Sequence, residues 1–394
     1  MQAGRSPRRD PRVDVLRGLA LLMIFIDHVP GNALSWVTLH MFGFSDAAEL
    51  FVILSGFSSM IAYGRSFERS GVRIGLTRVI ARCLRLYVFQ AGLLLLTFLI
   101  VKAWSVRYDI LIPDLLPFLS HGSRVVRHGL ALGALPAKLD ILPLYIILLG
   151  FFPLIYFGIR KSPWATLAVS GLVWLAANLD PGLNLKNWMT GDGWYFNPFA
   201  WQFLFVIGAA GARVVEAGAG SLPRINWLAW SCWAYLGFAL LSSAPWASWG
   251  WWDFHPIPLG TPDKSNLAPL RLLHILALVY LGLSSPRFLA LVRRGWMGAI
   301  DACGRHSLEI FSLATLLALI GGLLTSTLGT NWEIQVAINA VGLVVLMGAA
   351  RIMEARRARA DASGGWFSRL RTVLVRPFPD RKVFVPALAR RTRL

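Results

Sequence analysis

Four ionisable side chains interrupt the first long apolar stretch of the chain, residues 13–30. Asp14 and Arg17 stand near its start, and Asp27 and His28 stand near its end. A charged group inside a bilayer costs about 2.5–3.5 kcal/mol on insertion scales, and such groups usually mark function. We therefore interpret this stretch as a membrane-spanning helix that carries part of an active site.

The spacing of these side chains indicates how they are arranged. Arg17 and His28 are eleven residues apart, about three helical turns, so they share a helix face that also holds Asp14. Along the axis they are separated by about 16 Å. Asp27 points about 100° away from His28, so we do not expect the two to pair; Asp27 either lines the same cavity or contacts a neighbouring helix. The pattern predicts a charged rim leading to a buried histidine, which is typical of an active site reached through the membrane.

Two acids, Asp46 and Glu49, open the second apolar stretch, residues 47–64. Their spacing is that of a capping box, in which Asp46 caps the helix and Glu49 reaches back to it. Alternatively, Glu49 hydrogen-bonds His28 and fixes the tautomer of its imidazole. Both interpretations are open at this stage, and both acids are candidate catalytic residues beside His28 and Asp27.

Further polar residues lie in or beside later apolar stretches. Arg78 and Arg82 fall on one stripe of a basic connection, where guanidinium groups could anchor the chain and bind the phosphates of a cytoplasmic donor. The remaining candidate substrate-binding residues are Asp14, Arg17, Ser55, Asn197, Trp201, Gln202, Arg271 and His274.

The composition is that of a polytopic membrane protein. The chain has 394 residues, 56% of them hydrophobic, and a mean hydropathy of +0.57. Its net charge of +19 lies mostly in the connections between apolar stretches, which favours membrane topology over nucleic-acid binding. Three scattered cysteines predict neither a disulfide framework nor a metal site.

Apolar stretches of spanning length predict an all-α protein with about ten transmembrane helices. They lie at roughly 13–30, 47–64, 84–103, 139–158, 163–179, 197–214, 225–243, 268–284, 306–326 and 332–351. Connections on the side of the N-terminus carry 30 Lys and Arg residues, and those on the other side carry 7. The positive-inside rule then places both termini in the cytoplasm. We expect a transmembrane domain over residues 1–351 and a basic cytoplasmic tail over residues 352–394.

Two blocks of sequence resemble the OpgC family of transmembrane acyltransferases. The first is Asp14-Val-Leu-Arg17 with Asp27-His28-Val-Pro, and the second is Gly43-Phe-Ser-Asp46-Ala-Ala-Glu49 continuing to Ser55-Gly56. The stretches around Tyr145, Asn197 and Arg271 are similar to the same family. The resemblance implies transfer of a succinyl group from cytoplasmic succinyl-CoA to glucose hydroxyls of periplasmic glucans, at the bacterial inner membrane. It also implies an acyl-CoA co-substrate and no permanently bound cofactor.

Two alternatives remain beside this expectation. A glycan or lipid transporter would use the polar residues to line a path and would perform no acyl transfer. An O-acetyltransferase of another surface polysaccharide would use the same chemistry with a different acyl group and acceptor.

Overall fold

The computed structural model describes residues 10–108, 122–218, 221–251, 254, 257 and 259–362. These residues fall into two units, Met1–Met353 and Glu354–Leu394. All the regular elements in the described part of the chain are helices. In chain order the α-helices are α1 Pro11–His28, α2 Ala47–Ser59, α3 Arg65–Tyr108, α4 Gly122–Leu130, α5 Ile141–Gly150, α6 Phe152–Lys161, α7 Pro163–Leu179, α8 Pro198–Ala217, α9 Asn226–Ser243, α10 Pro269–Ser284, α11 Pro286–Val292, α12 Gly298–Arg305, α13 Ser307–Leu328 and α14 Trp332–Ala362. The predicted all-α class is confirmed, and the predicted tail beyond residue 362 lies outside the described residues.

A capping residue and two prolines determine where α1 begins and ends. The side chain of Asp10 accepts a hydrogen bond from the backbone N–H of Arg12 at 2.9 Å, and Pro11 occupies the first helical position, where its missing N–H costs nothing. Pro30 follows shortly after the last helical residue, His28, and restricts Val29 to the extended conformation. The helix therefore ends where its histidine stands.

Each of the ten predicted apolar stretches overlaps a helix of the structure. Among the residues that the structure describes, four helical segments are long and apolar enough to cross a membrane, or up to six if each of two bent helix pairs forms one span. The protein is therefore a membrane protein, while ten spans and two cytoplasmic termini remain predictions. Helix α1 is not among the four because its 18 residues include four charged side chains, at positions 12, 14, 17 and 27.

The segment Ala47–Tyr108 is too long for one span. Its 62 residues would extend about 93 Å as a straight helix, roughly three times the thickness of the hydrocarbon layer. It contains two of the predicted spans, joined through a π-helical turn at Met60–Gly64 and a break at Gly71. Gly71 has φ of 83°, a left-handed conformation that glycine adopts at little cost.

Helices α2 and α8 pack closely through glycines. A Cβ on Gly208 would overlap the carbonyl oxygen of Ile53, and one on Gly56 would overlap that of Phe205. Small residues allow the backbones of membrane helices to approach in this way. This contact holds the helix that begins at Asp46 against the helix that begins at Asn197.

We expect Gly208→Ala to destabilise the fold by about 1–3 kcal/mol, because the new methyl group must push two backbones apart. The control is Gly211→Ala on the same helix, where a Cβ would meet nothing within 4 Å. That variant should be neutral or more stable by roughly 0.5–1 kcal/mol. Thermal unfolding in detergent measures both, and equal effects at the two positions would contradict this account of the packing.

Candidate active site

A cavity of about 910 Å³ lies at the end of α1 that carries His28. Its walls are formed by the ends of α1, α2 and α10 and by the loops before α5, α8 and α10. The charged or titratable side chains that line it include Asp27, His28, Asp46, Lys138, Lys264 and Arg271. The sequence predicted Asp27, His28, Asp46 and Arg271 as site residues.

His28 is held at the cavity wall by its backbone. Lys138 Nζ donates a hydrogen bond to the His28 carbonyl oxygen at 2.8 Å, beyond the last turn of α1. The Nδ1 atom of the imidazole is buried and has no hydrogen-bond partner within the described part of the chain. The charged residues Lys138, Lys264 and Asp46 line the same cavity. The imidazole is thus part of the cavity wall, with its Nδ1 atom buried.

Asp27 contacts the loop between α1 and α2. Its Oδ1 atom accepts a hydrogen bond from Thr38 Oγ1 at 2.6 Å and lies 3.3 Å from Nδ1 of His40. Both Asp27 and His40 line the cavity. As expected from the helical geometry, Asp27 shares the cavity with His28 without pairing with it.

The capping interpretation of Asp46 and Glu49 is confirmed. Asp46 accepts from the Ala48 N–H at 2.8 Å, and Glu49 Oε2 accepts from the Asp46 N–H at 3.0 Å. Arg271 Nε donates to Glu49 Oε1 at 2.7 Å. Glu49 is completely buried, and its second partner is this arginine on α10. The expectation that Glu49 hydrogen-bonds His28 is therefore wrong.

The two acids and two cations form one charge cluster. Asp46 pairs with Lys264 Nζ, and Arg271 Nη2 lies 3.4 Å from Asp46 Oδ2 and 2.6 Å from Glu49 Oε1. Buried charges are tolerated when they are paired and hydrogen-bonded. We call Asp46, Glu49, Lys264 and Arg271 the charge cluster. It joins the start of α2 to the start of α10 and to the loop before it.

Arg17 lies at the other end of α1, apart from the cavity. Its Nη2 atom donates to Ser307 Oγ at 2.6 Å, and its guanidinium lies 5.8 Å from the centroid of the Phe51 ring. The centroid of the Phe51 ring in turn lies 6.2 Å from that of Phe311, which lines the cavity. Asp14 is also buried, one helical turn before Arg17. Two aromatic rings therefore stand between the arginine and the cavity that contains His28.

The predicted donor-binding arginines lie on α3. Arg78 is exposed and donates to Ser66 Oγ at 3.0 Å. Arg82 is half-buried. The sequence stripe thus places Arg78 on the surface and Arg82 partly within the fold.

Five predicted substrate-binding residues make structural contacts and do not line the cavity. Ser55 donates to the Phe51 carbonyl of its own helix, and Gln202 exchanges hydrogen bonds with Ser170. Nδ1 of His274 lies 2.6 Å from Ser45 Oγ. Asn197 and Trp201 are completely buried and bind the loop before α10. These five residues therefore have hydrogen-bond partners within the fold, and their contact with a substrate stays a prediction.

Sequence reasoning missed Lys138, Lys264 and His40. All three stand in connections between apolar stretches, where a polar residue carries no periodicity signal. The two lysines belong to the seven cations that charge counting assigns to the outer side. Lysine and arginine are rare on that side, and this rarity is the sequence signal that could have identified the two lysines. Within the described residues, no group of three His, Cys, Asp or Glu residues could hold a metal ion.

The chain matches the model of a known protein family. The model of the family described as OpgC protein matches residues 9–358, which include α1 and every residue of the cavity named above. No curated protein and no solved structure matches the chain.

Proposed function

We propose that this chain, which belongs to the OpgC family, moves a succinyl group from cytoplasmic succinyl-CoA to a glucose hydroxyl of a periplasmic glucan. Membership of the family implies an acyltransferase that modifies glucans. The donor, the base and the acceptor hydroxyl are parts of the proposal. The observation that carries it is the placement of the His28 imidazole at the wall of a large cavity lined by charged side chains.

In this proposal His28 is the general base. The hydroxyl oxygen of the sugar attacks the thioester carbonyl carbon, and the imidazole takes the hydroxyl proton. When the tetrahedral intermediate collapses, the carbon–sulfur bond breaks and the departing thiolate takes that proton. A base within hydrogen-bond reach of the hydroxyl typically contributes 10²–10⁴-fold to the rate, and correct placement of the two substrates contributes more.

The residues at the two ends of α1 support binding of the sugar at one end of this helix and of the acyl-CoA at the other. The cavity at the His28 end is built from loops that charge counting assigns to the periplasmic side, and it is large enough for a sugar residue. Arg17 and Arg82 at the other end could hold the pantetheine or phosphate part of the donor. The acyl-bearing arm would then pass Phe51 and Phe311 to reach His28.

The test is release of free thiol by purified protein in detergent. We expect the wild-type protein to release coenzyme A from succinyl-CoA when a periplasmic glucan is present, and to form a succinylated glucan visible by mass spectrometry. Acetyl-CoA in a parallel reaction distinguishes succinyl from acetyl transfer. Intact thioester in every reaction would contradict the enzymatic proposal and favour a transporter.

A further inference from the structure

Side chains of two neighbouring helices hold the backbone of the loop before α10. The carbonyl oxygens of residues 264–267 all accept hydrogen bonds from side chains of α7 and α8. Trp201 Nε1 donates to those of Lys264 and Ser265, at 3.2 and 3.1 Å. Asn178 Nδ2 donates to that of Asn266 at 2.8 Å, and Trp174 Nε1 to that of Leu267 at 2.9 Å. Four successive carbonyls are thus fixed by buried or half-buried side chains.

The same loop contains a strained residue and an internal cap. Leu267 has φ of 50°, a left-handed conformation that is costly for a branched side chain and tends to occur at functional sites. Asp263 accepts from the N–H groups of Ser265 and Asn266. Asn197 adds a hydrogen bond from its Nδ2 atom to Asn266 Oδ1 at 2.8 Å. This structure fixes the backbone from which the Lys264 side chain enters the cavity.

The ammonium of Lys264 is held in the cavity with its charge. It pairs with Asp46, its one hydrogen-bond partner among the described residues, and lies 5.7 and 5.6 Å from the ring centroids of Tyr195 and Phe196. Burial favours the neutral amine, but the carboxylates of Asp46 and Glu49 outweigh it and raise the pKa of Lys264. The side chain stays 25% exposed. The Lys264 ammonium is therefore a cation whose other N–H groups can donate hydrogen bonds, and it lies beside the cavity that His28 lines.

The other two cations named above as lining the cavity, Arg271 and Lys138, donate hydrogen bonds to groups of the protein. Arg271 is bound by both carboxylates of the charge cluster, and its side chain is 10% exposed. Lys138 donates to the backbone carbonyl of His28. Lys264 combines a rigid backbone, a fixed charge and an open side toward the cavity.

We propose that Lys264 stabilises the oxyanion that forms on the thioester carbonyl when the sugar hydroxyl attacks, an inference that rests on the proposed acyl transfer. As the new carbon–oxygen bond forms, the π electron pair of the carbonyl moves to its oxygen, and Lys264 donates a hydrogen bond to it. The pair returns when the carbon–sulfur bond breaks, and His28 carries the proton from the hydroxyl to the thiolate. Donors fixed in advance where charge develops are a major source of catalysis. Trp201 and Asn197, predicted as substrate-binding residues, become positioning residues for Lys264.

The test uses Lys264→Cys before and after treatment with 2-bromoethylamine, which converts the thiol to an aminoethyl thioether and so restores an ammonium of similar reach. We expect the untreated variant to transfer succinyl groups about 10²–10³-fold more slowly with KM values little changed. Hydrolysis of the thioester without glucan should fall by the same factor, since it forms the same oxyanion. Treatment should recover most of the lost rate.

Wild-type protein treated in parallel controls for modification of Cys83, Cys232 and Cys303. Wild-type rates in the untreated variant would overturn the role of Lys264. A loss that persists although mass spectrometry shows the modified side chain would also overturn it, because the loss would then be structural. If the wild-type protein itself transfers no acyl group, the proposed function fails and this inference fails with it.

Discussion

Replacement of His28 by alanine is expected to lower the rate of acyl transfer by about 10²–10⁴-fold, the contribution of a general base. The thermal unfolding temperature should change little, since Nδ1 of the imidazole has no hydrogen-bond partner in the described structure and the ring faces a cavity. Thiol release from succinyl-CoA in the presence of glucan measures the rate. A loss of activity without a loss of stability would assign the effect to chemistry.

The matched control for His28 is His128→Ala. His128 is exposed on α4 and stacks on Trp188 at 4.4 Å between ring centroids, and it does not line the cavity. We expect this variant to keep the wild-type rate. Equal rates in wild-type and His28→Ala protein would remove the histidine from the mechanism, whatever the control shows.

Replacement of Arg271 by methionine is expected to destabilise the protein by about 3–5 kcal/mol. Glu49 is completely buried, and removal of its partner leaves a buried carboxylate without compensation. Thermal or denaturant unfolding in detergent measures the loss. The large effect follows from burial of the acid more than from the strength of the ion pair itself, because breaking a buried pair costs more than the pair contributes.

The double variant Glu49→Gln/Arg271→Met separates these two contributions. A glutamine at position 49 removes the charge and can still accept the N–H of Asp46, as a capping box requires. We therefore expect the double variant to regain much of the lost stability. A double variant as unstable as Arg271→Met alone would show that the guanidinium matters for another reason.

Local features of the site were predictable because they depend on neighbours in sequence. The placement of His28 at the end of α1 follows from the cap at Asp10 and from Pro30, and the capping box at Asp46 follows from a three-residue spacing. The resemblance of the same blocks to the OpgC family agrees with the family match over residues 9–358. The spanning length of the apolar stretches also predicted the all-α class.

Long-range partners were not predictable in the same way. Glu49 pairs with Arg271, 222 residues away in the chain, and no pattern in one sequence couples the two positions. Asn197 and Trp201 have the residue types of a sugar-binding site, yet the fold uses their polar atoms to hold the loop before α10. Lys264 stands in that loop, where sequence periodicity gives no information on which side chains face a cavity.

The most direct test of the central claim separates the two substrates by a membrane. Protein reconstituted into sealed vesicles receives succinyl-CoA on the side of Arg17 and glucan on the side of His28, and glucan is then analysed by mass spectrometry. The account predicts succinylated glucan in its own compartment, with transfer by His28→Ala protein in the same orientation slower by about 10²–10⁴-fold. If product forms only when both substrates are on one side, the claim that His28 acts on substrates from opposite sides of the membrane is contradicted.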